Sequence, residues 1–543
     1  MIGIVPMQEM QIGGSWSAQD VSVCPNPDFA AGGFKLRYGA AVSVLEDDRC
    51  VFAIIGQLFD VPLEVAMHDQ MRLDTAYGNF SYVRYEKKSG AITIGTDRLG
   101  FSPIYYAFEN NCFIFATSLG YVKSRLRVRT PDYDAWEELM VLGEVIGNKS
   151  TVKQISRLLH GTRIEIDGAG VTFPIFWTPE VPELTSEEDY ISGNNRLLGE
   201  ALALTQSNNL RKVVLLSGGE DSRRLALTAV KQGLLVDFYT QESVYRGDYA
   251  VGVDRDVKLA EKVAEVLARP HFIEPMPNEE NFLINWHSRN TTLGFECTAH
   301  EWLLPLAKRI NRGALIYDGI VGDITTNGHY FKEFPAALKN FKDIDALAEM
   351  ICGNKRSPWL SELRRHTTSP LKDRVKDLLA TYPDSPHRLT FYFILNHTRR
   401  KIACVSQLFG LAGHFTCYPF LYYPLFLHSL RIDPSKLLTK FYQRECMAAI
   451  GPEVLSVPTT REEVSDNWLI LRGDKAHEQD DYLLTQLQIS NKALEMFPRL
   501  KYRFIALRAL SHVTMRPLRA YGWHIPSIAR FSSFLEWIDS DME

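Results

Sequence analysis

Hydrophobic and polar positions change rhythm as the chain is read from its start. Up to about residue 130, apolar residues come in short runs rich in β-branched and aromatic side chains. Residues 51–55 and 91–96 are two such runs, and turn formers bound them: Asp47, Asp48, Gly56, Ser89 and Gly90. Runs of that length between such residues predict strands. Asn110-Asn111, between strands expected at 104–108 and 112–117, predicts a hairpin turn. Around residues 130–132 the pattern changes. Pro131 is suited to a helix start, and residues 134–143 read as that helix. Residues 164–166, followed by Asp167-Gly168-Ala169-Gly170, predict a further strand and turn, and residues 179–182 a linker.

From about Ser186 strands and helices alternate. A helix precedes a buried strand over 212–216, a glycine-containing turn follows, and a helix is expected over 222–232. A second strand over 235–240, a helix over 257–267 and a third strand from 271 to 273 continue the alternation. That order predicts a parallel sheet wound with helices. Beyond Phe331 the pattern is mostly helical, and the basic stretch 501–519 reads as a solvated amphipathic helix.

Length and composition narrow the class. A chain of 543 residues exceeds one ordinary core, so two domains or more are expected. A hydrophobic content of 45% with 23% charged residues is the balance of a soluble globular protein. The net charge of −5 argues against binding nucleic acid over the whole surface. The eight cysteines, at 24, 50, 112, 297, 352, 404, 417 and 446, form neither a CxxC pair nor a zinc-type spacing and read as reduced thiols. The most apolar stretch, 419–430, is too short to span a membrane, and residues 1–14 have no secretory pattern. A cytoplasmic location is therefore expected.

The chemistry concentrates in Val213-Val214-Leu215-Leu216-Ser217-Gly218-Gly219-Glu220-Asp221-Ser222. A buried strand runs into Ser-Gly-Gly-x-Asp-Ser and then into a helix. Two glycines allow a sharp turn and bring backbone N–H groups close to an anion, while the helix points its positive end at the same place. Ser217 and Ser222 can add hydroxyl donors. Asp221 beside a phosphate cradle implies a cation, and Mg²⁺ takes one or two carboxylates together with phosphate oxygens. The absence of a following Gly-Lys-Ser/Thr excludes a Walker A loop.

Residues 217–222 resemble the pyrophosphate loop of the ATP-pyrophosphatase superfamily. Further segments, in order, resemble the asparagine synthetase family. Met1-Ile2-Gly3-Ile4-Val5 is similar to the Met-Cys-Gly-Ile start of class II glutamine amidotransferases. Gly78-Asn79-Phe80, Asp97-Arg98-Leu99-Gly100-Phe101-Ser102-Pro103-Ile104-Tyr105-Tyr106, Phe115-Ala116-Thr117-Ser118-Leu119, His160-Gly161, Asp167 and Trp177 resemble the rest of that domain. Asp318-Gly319-Ile320-Val321-Gly322-Asp323 resembles the family's second acidic loop, and Pro419-Phe420-Leu421 and Lys440-Phe441-Tyr442-Gln443-Arg444 its late helical motifs. The resemblance implies an α/β protein in three parts. A degenerate glutaminase domain (1–180) forms an Ntn-like αββα sandwich. An α/β ATP-pyrophosphatase domain (186–465) ends in a helical part, and a helical extension (466–543) follows.

The resemblance implies ATP and Mg²⁺. The nucleotide would be bound through Leu216, Ser217, Gly218, Gly219, Asp221, Ser222, Gly319 and Asp256, and the metal by Asp221 and Asp323. Arg223 and Arg224, directly after the loop, could reach phosphate, with one of them facing solvent instead. Asp256 also reads as an acid at a helix N-terminus. The chain departs from the family at several positions. Ile2 stands where the family has its cysteine nucleophile, and a hydrocarbon cannot attack an amide. Ile55-Gly56-Gln57-Leu58-Phe59 stands where Asn-Gly-Glu is expected, and Cys24 lies too far along to substitute for the nucleophile. Ile320 replaces an acid, and Arg461 is the basic residue nearest the expected catalytic lysine, with Lys440 a second cation candidate.

The expected activity is an AMP-forming carboxylate–amine ligase without glutaminase activity. It would act on small-molecule or peptide carboxylates and amines, with no nucleic-acid or membrane partner; a homodimer or a partner from the same biosynthetic cluster stays open. The alternatives are an intramolecular cyclase of the β-lactam synthetase or lasso-peptide cyclase type and a catalytically reduced nucleotide-binding scaffold. A thiolating relative would want a reactive cysteine near the loop, and none lies between 113 and 296.

Overall fold

A computed structural model describes residues 12–17, 29–31, 34–38, 42–110, 112–242, 247–275, 279–298, 303–353, 358–439, 442–460 and 525–540. Ile2 with its neighbours, Cys24, Lys440, Arg461 and the basic stretch 501–519 lie outside the described residues.

The amino-terminal part is built on two six-stranded sheets. One runs in the spatial order Ser156–Arg157, Tyr105–Glu109, Cys112–Ala116, Ile12–Ser17, Phe34–Tyr38, Phe29–Ala31. The other runs Gly170–Thr172, Ile164–Asp167, Ile92–Thr96, Gly78–Glu86, Cys50–Leu58, Val42–Glu46. Successive side chains of a strand point to opposite faces, so each sheet buries two sets of residues. Val51, Ala53, Ile55, Val83 and Ile94 of the second sheet meet Phe113 and Phe115 of the first, and Ile104 just ahead of the strand Tyr105–Glu109, in one core. The alternate residues Phe52, Ile54, Phe80 and Tyr82 pack on Ala66, Met67 and Leu73 of the short helices Leu63–His68 and Gln70–Thr75. The outer face of the first sheet is covered by Leu119–Ser124 and Tyr133–Leu142. This is the expected αββα sandwich. The hairpin expected at Asn110-Asn111 closes in register, with Phe108 opposite Phe113 and Glu109 opposite Cys112, and Asn110 takes a left-handed φ of 50°. Pro131 does not start the next helix. It bridges Val152, and Asp132 caps a helix that begins at Tyr133 by accepting the Ala135 N–H at 3.0 Å.

The second part carries a five-stranded, wholly parallel sheet. Its order is His271–Glu274, Val236–Gln241, Arg211–Leu215, Ala314–Tyr317, Phe415–Cys417. The first three strands were expected. Phe415–Cys417 lies in a stretch read as helical and joins the sheet as its edge. The helix expected from 257 begins ten residues earlier, as Gly247–Val266. Strand order reverses between Arg211–Leu215 and Ala314–Tyr317, and at such a switch point the loops leaving adjacent strands diverge and open a crevice.

One apolar core runs through both parts, from Tyr105 and Trp136 to Leu216 and Phe409. Polar links stitch the seam: Asn79 Nδ2 donates to Ser406 Oγ at 2.6 Å and Thr416 Oγ1 at 2.8 Å, and Tyr105 donates to Glu296, which also pairs with Arg400 at 2.7 Å. The helix Ile525–Asp539 returns to the amino-terminal part, where Phe531 and Phe534 each stand 4.8 Å from the Trp136 ring. No helix among the described residues is long and apolar enough to cross a membrane.

Candidate functional site

The two sequence motifs meet at the switch point. The Ser-Gly-Gly loop leaves the end of Arg211–Leu215 and the acidic loop leaves the end of Ala314–Tyr317, side by side at the same edge of the sheet. They form the floor of a cleft of about 1400 Å³ lined by Leu216, Ser217, Asp221, Ser222, Asp256, Gly319, Ile320 and Asp323 among others.

The chain bends at both loop glycines, as expected, without either taking a left-handed backbone, and Gly218 is also needed for close approach. A Cβ on Gly218 would lie 2.9 Å from Thr460 Cγ2 and 3.0 Å from Asp256 Oδ1. Gly219 is the N-cap of the helix Glu220–Lys231 and directs that helix's first N–H groups at the cleft. The loop braces itself internally. Ser222 Oγ accepts the Ser217 N–H at 3.0 Å, the two hydroxyls stand 2.9 Å apart, and the Gly219 N–H donates to Ser217 Oγ at 3.2 Å. The serine hydroxyls are thus engaged with each other. Leu216 contributes shape alone: its N–H serves the Tyr239 carbonyl, its carbonyl accepts from Thr240, and its side chain is buried.

Asp256 is not at a helix N-terminus. It sits in the middle of Gly247–Val266, and its Oδ1 accepts the Gly218 N–H at 2.8 Å. Burial pushes its carboxyl up to about 6, against the weaker opposing pull of the Gly218 hydrogen bond and Arg223.

The second loop is strained and tightly packed. Val321 has φ 86°, a left-handed conformation costly for a β-branched residue. Asp318 is half-buried, and loss of water around it lifts its carboxyl to about 6; it accepts the Ile320 N–H at 3.0 Å. A Cβ on Gly319 would come within 2.9 Å of the Ser222 nitrogen, and one on Gly322 within 2.8 Å of Asp221 Oδ1. These glycines let the two loops touch. The result is a direct link between the two acids singled out in the sequence, since Asp221 Oδ2 accepts the Asp323 N–H at 2.8 Å. Among the described residues no group of three or more His, Cys, Asp or Glu side chains could hold a metal alone. Two carboxylates in one cleft, floored by N–H groups, do suit a hard divalent cation that takes its remaining oxygens from phosphate and water.

Arg223 and Arg224 are both fully buried, so neither faces solvent and neither reaches the cleft. Arg223 points backwards and donates to the carbonyls of Val454, Val457, Pro458 and Gly218. Arg224 donates to Gln443 Oε1 at 2.7 Å, and Gln443 Nε2 donates to Asp221 Oδ1 at 2.7 Å. Gln443 lay inside a recognised segment but had no assigned role. Its part appears only once the helix Tyr442–Ile450 is packed behind the loop.

Cys50 is buried, and burial pushes its thiol up to about 11. Gln57 and Asn79, opposite each other in register, spend their side chains on the second part, with Asn208 Nδ2 donating to Gln57 Oε1 at 3.1 Å.

Comparison with known proteins gives a partial likeness. Residues 65–177 match the glutamine amidotransferase domain family. A protein of Methanocaldococcus jannaschii provisionally named asparagine synthetase (glutamine-hydrolyzing) 2 is 26% identical over 151 residues. The matched stretch spans 27% of this chain and 29% of that relative. Three solved structures show distant likeness. The allosteric regulatory enzyme of purine biosynthesis is 9% identical, with a TM-score of 0.20 over 50% of this chain and 75% of its own. Glutamine phosphoribosylpyrophosphate amidotransferase from B. subtilis is 10% identical, with a TM-score of 0.20 over 60% and 72%. NMN synthetase from Francisella tularensis is 17% identical, with a TM-score of 0.21 over 40% and 96%. Both likenesses are partial: the domain match covers residues 65–177, and the archaeal match spans under a third of either chain.

Proposed function

We propose that this chain is an ATP-dependent, amide-bond-forming ligase that activates a carboxylate as its acyl-adenylate, releases AMP and pyrophosphate, and has no glutaminase activity of its own. The observation that carries the reading is the Asp221–Asp323 link across the switch point, directly over the Ser-Gly-Gly loop. A carboxylate is a poor electrophile. Its oxygen attacks the α-phosphorus of ATP, the bond to the β-phosphate oxygen breaks, and pyrophosphate leaves. N–H groups at the start of Glu220–Lys231 are aimed where that charge grows, which favours the step electrostatically. Asp221 and Asp323 would hold Mg²⁺, which when bound neutralises phosphate charge. An amine then attacks the acyl carbon and AMP departs.

Two observations favour an amine that does not come from glutamine. Ile2 offers no nucleophile, and Cys50 is held protonated by burial. The amine then comes from free ammonia, an external amine or the substrate itself. The test is to incubate the full chain with Mg-ATP, L-aspartate and ammonium and to quantify AMP, pyrophosphate and asparagine. Matching AMP and asparagine make it an ammonia-dependent asparagine synthetase. AMP without asparagine keeps the ligase reading and moves the acyl or amine partner elsewhere. Absence of ATP turnover with aspartate, peptide, β-amino-acid and sugar-acid carboxylates alike overturns it in favour of a nucleotide-binding scaffold.

A further inference from the structure

The wall of the cleft away from the phosphate loop carries a second set of polar groups. Glu144 comes from the amino-terminal part, just past the helix Tyr133–Leu142. Its backbone is fixed by Gly143 in the left-handed conformation and by an antiparallel bridge to Cys297, with Thr298 Oγ1 donating to the Gly143 carbonyl at 3.0 Å. His397 comes from the long helical run that begins at Arg388. Over Phe393–Thr398 that run widens to π-helical turns before resuming as Arg399–Leu411. Such wide turns are rare and concentrate at functional sites, because they push side chains out of the regular helical register. Here Phe393, His397 and Thr398 all line the cleft.

The two side chains meet at 2.6 Å, His397 Nδ1 to Glu144 Oε2. A neutral imidazole paired with a carboxylate through Nδ1 keeps its proton on that nitrogen, which leaves the Nε2 lone pair as the basic atom. Beside the pair, Tyr392 is 1% exposed and lines the same cleft, and its hydroxyl has no hydrogen-bond partner among the described residues. A buried hydroxyl without a partner is costly, and a ligand bound in the cleft would supply one. Tyr330 ties this wall to the metal end. Its ring lies 5.9 Å from that of His397, and the charges of both Glu144 and Asp323 reach its hydroxyl, whose ionisation is suppressed chiefly by burial and then by these two carboxylates. Among the described residues, the titratable groups of this region of the cleft are Glu144, Tyr330, Glu333, Tyr392, His397 and Lys401, together with Cys352 and His329.

Resting on the ligase reading above, we propose that His397 is the proton acceptor of the amide-forming half-reaction and that Glu144, supplied by the amino-terminal part, is its positioning residue. The amine lone pair forms the new C–N bond at the acyl carbon. The C–O bond to the adenylate breaks with its electron pair staying on AMP, and the surplus N–H proton passes to His397 Nε2 and on to water. The degenerate amidotransferase-like part thereby completes the ligase cleft by a carboxylate rather than by delivering ammonia.

The test uses the full chain with Mg-ATP, each of L-aspartate, β-alanine and D-glucuronate as carboxylate, and two amine probes. Methylamine is protonated at neutral pH and needs a base. Hydroxylamine is mostly unprotonated there and needs little help. His397→Gln should lower methylamine-dependent amide formation about 10²- to 10³-fold, while hydroxamate formation and carboxylate-dependent ATP–pyrophosphate exchange stay within about threefold. Glu144→Gln should move the pH profile of the methylamine reaction and leave that of the exchange in place. Equal loss of exchange and both amide products would make the pair a structural cross-link and overturn the proposal, as would an unaffected methylamine rate. A wild-type chain that shows exchange with none of these three carboxylates, nor with a peptide carboxylate, overturns the ligase reading itself.

Discussion

Gln443 spans the gap between a buried cation and the candidate metal-binding carboxylate: its Oε1 accepts from Arg224 and its Nε2 donates to Asp221, both at 2.7 Å. A donor on one side and an acceptor on the other leave only one orientation for the amide, and that orientation fixes the Asp221 carboxylate. Gln443→Leu keeps the volume and removes both bonds, leaving a buried guanidinium short of a partner. Thermal denaturation should show a loss of about 1–3 kcal/mol. Pyrophosphate release should fall at least tenfold, because Asp221 loses its alignment.

Asp221→Asn tests the metal assignment separately. The asparagine still accepts one of the two N–H bonds now made by Gln443 Nε2 and Asp323 N. Its own NH₂ group faces the other donor, at a cost of about 1–2 kcal/mol. The fold should survive, seen as an unchanged far-UV circular dichroism spectrum, while ATP turnover disappears. An Asn variant that turns over ATP normally would remove Asp221 from the site.

Asp256 gives a pH dependence whose sign can be worked out. Its folded carboxyl titrates near 6, above the ordinary 3.8. Between those values the native state holds the proton more tightly than the unfolded chain, so stability falls as pH rises through the window and levels off above it. Asp256→Asn keeps an acceptor for Gly218 and does not titrate. It should be more stable than wild type by about 1–2 kcal/mol at pH 8, a value reduced by the partial solvent contact of this side chain, and the difference should vanish near pH 3.5. A pH-independent difference in melting temperature would show that burial does not perturb this carboxyl.

Arg223 holds the segment that closes the back of the loop, with donors on the carbonyls of Val454, Val457 and Pro458. Arg223→Met removes all of them from a fully buried position. We expect a loss of about 2–4 kcal/mol and faster proteolysis around residues 454–460. Arg223→Lys should recover little, since an ammonium cannot reproduce the fork.

Much of this arrangement can be read from the sequence because it is local. The strand–loop–helix unit around Ser217 is contiguous, so its placement follows from its own pattern. In the amino-terminal part, short β-branched runs and an Asn-Asn turn predict strands around 51–55, 91–96, 104–108 and 112–117, while their arrangement in two sheets is what the family resemblance implies. The unread pieces depend on distant partners. Phe415–Cys417 has three residues, too few for an alternation to show, and becomes a strand only by lying beside Ala314–Tyr317. Arg223 and Arg224 carry the charge expected of phosphate ligands, yet adjacent residues on a helix point about 100° apart, and tertiary packing turns both inward. Glu144 and His397 stand 253 positions apart, and neither has a motif around it.

Lys123 belongs to the helix Leu119–Ser124. Its ammonium is fully buried and donates to the carbonyls of Trp537 and Ser540, at 2.6 and 2.9 Å, at the carboxyl end of the helix whose Phe531 and Phe534 cover Trp136. The amino-terminal part therefore closes with residues made more than four hundred positions later. During synthesis on the ribosome, the face around Lys123 and Trp136 stays open until residue 540 has emerged. In that interval it is a place where a chaperone would act, and where a prematurely terminated product would be recognised as unfinished.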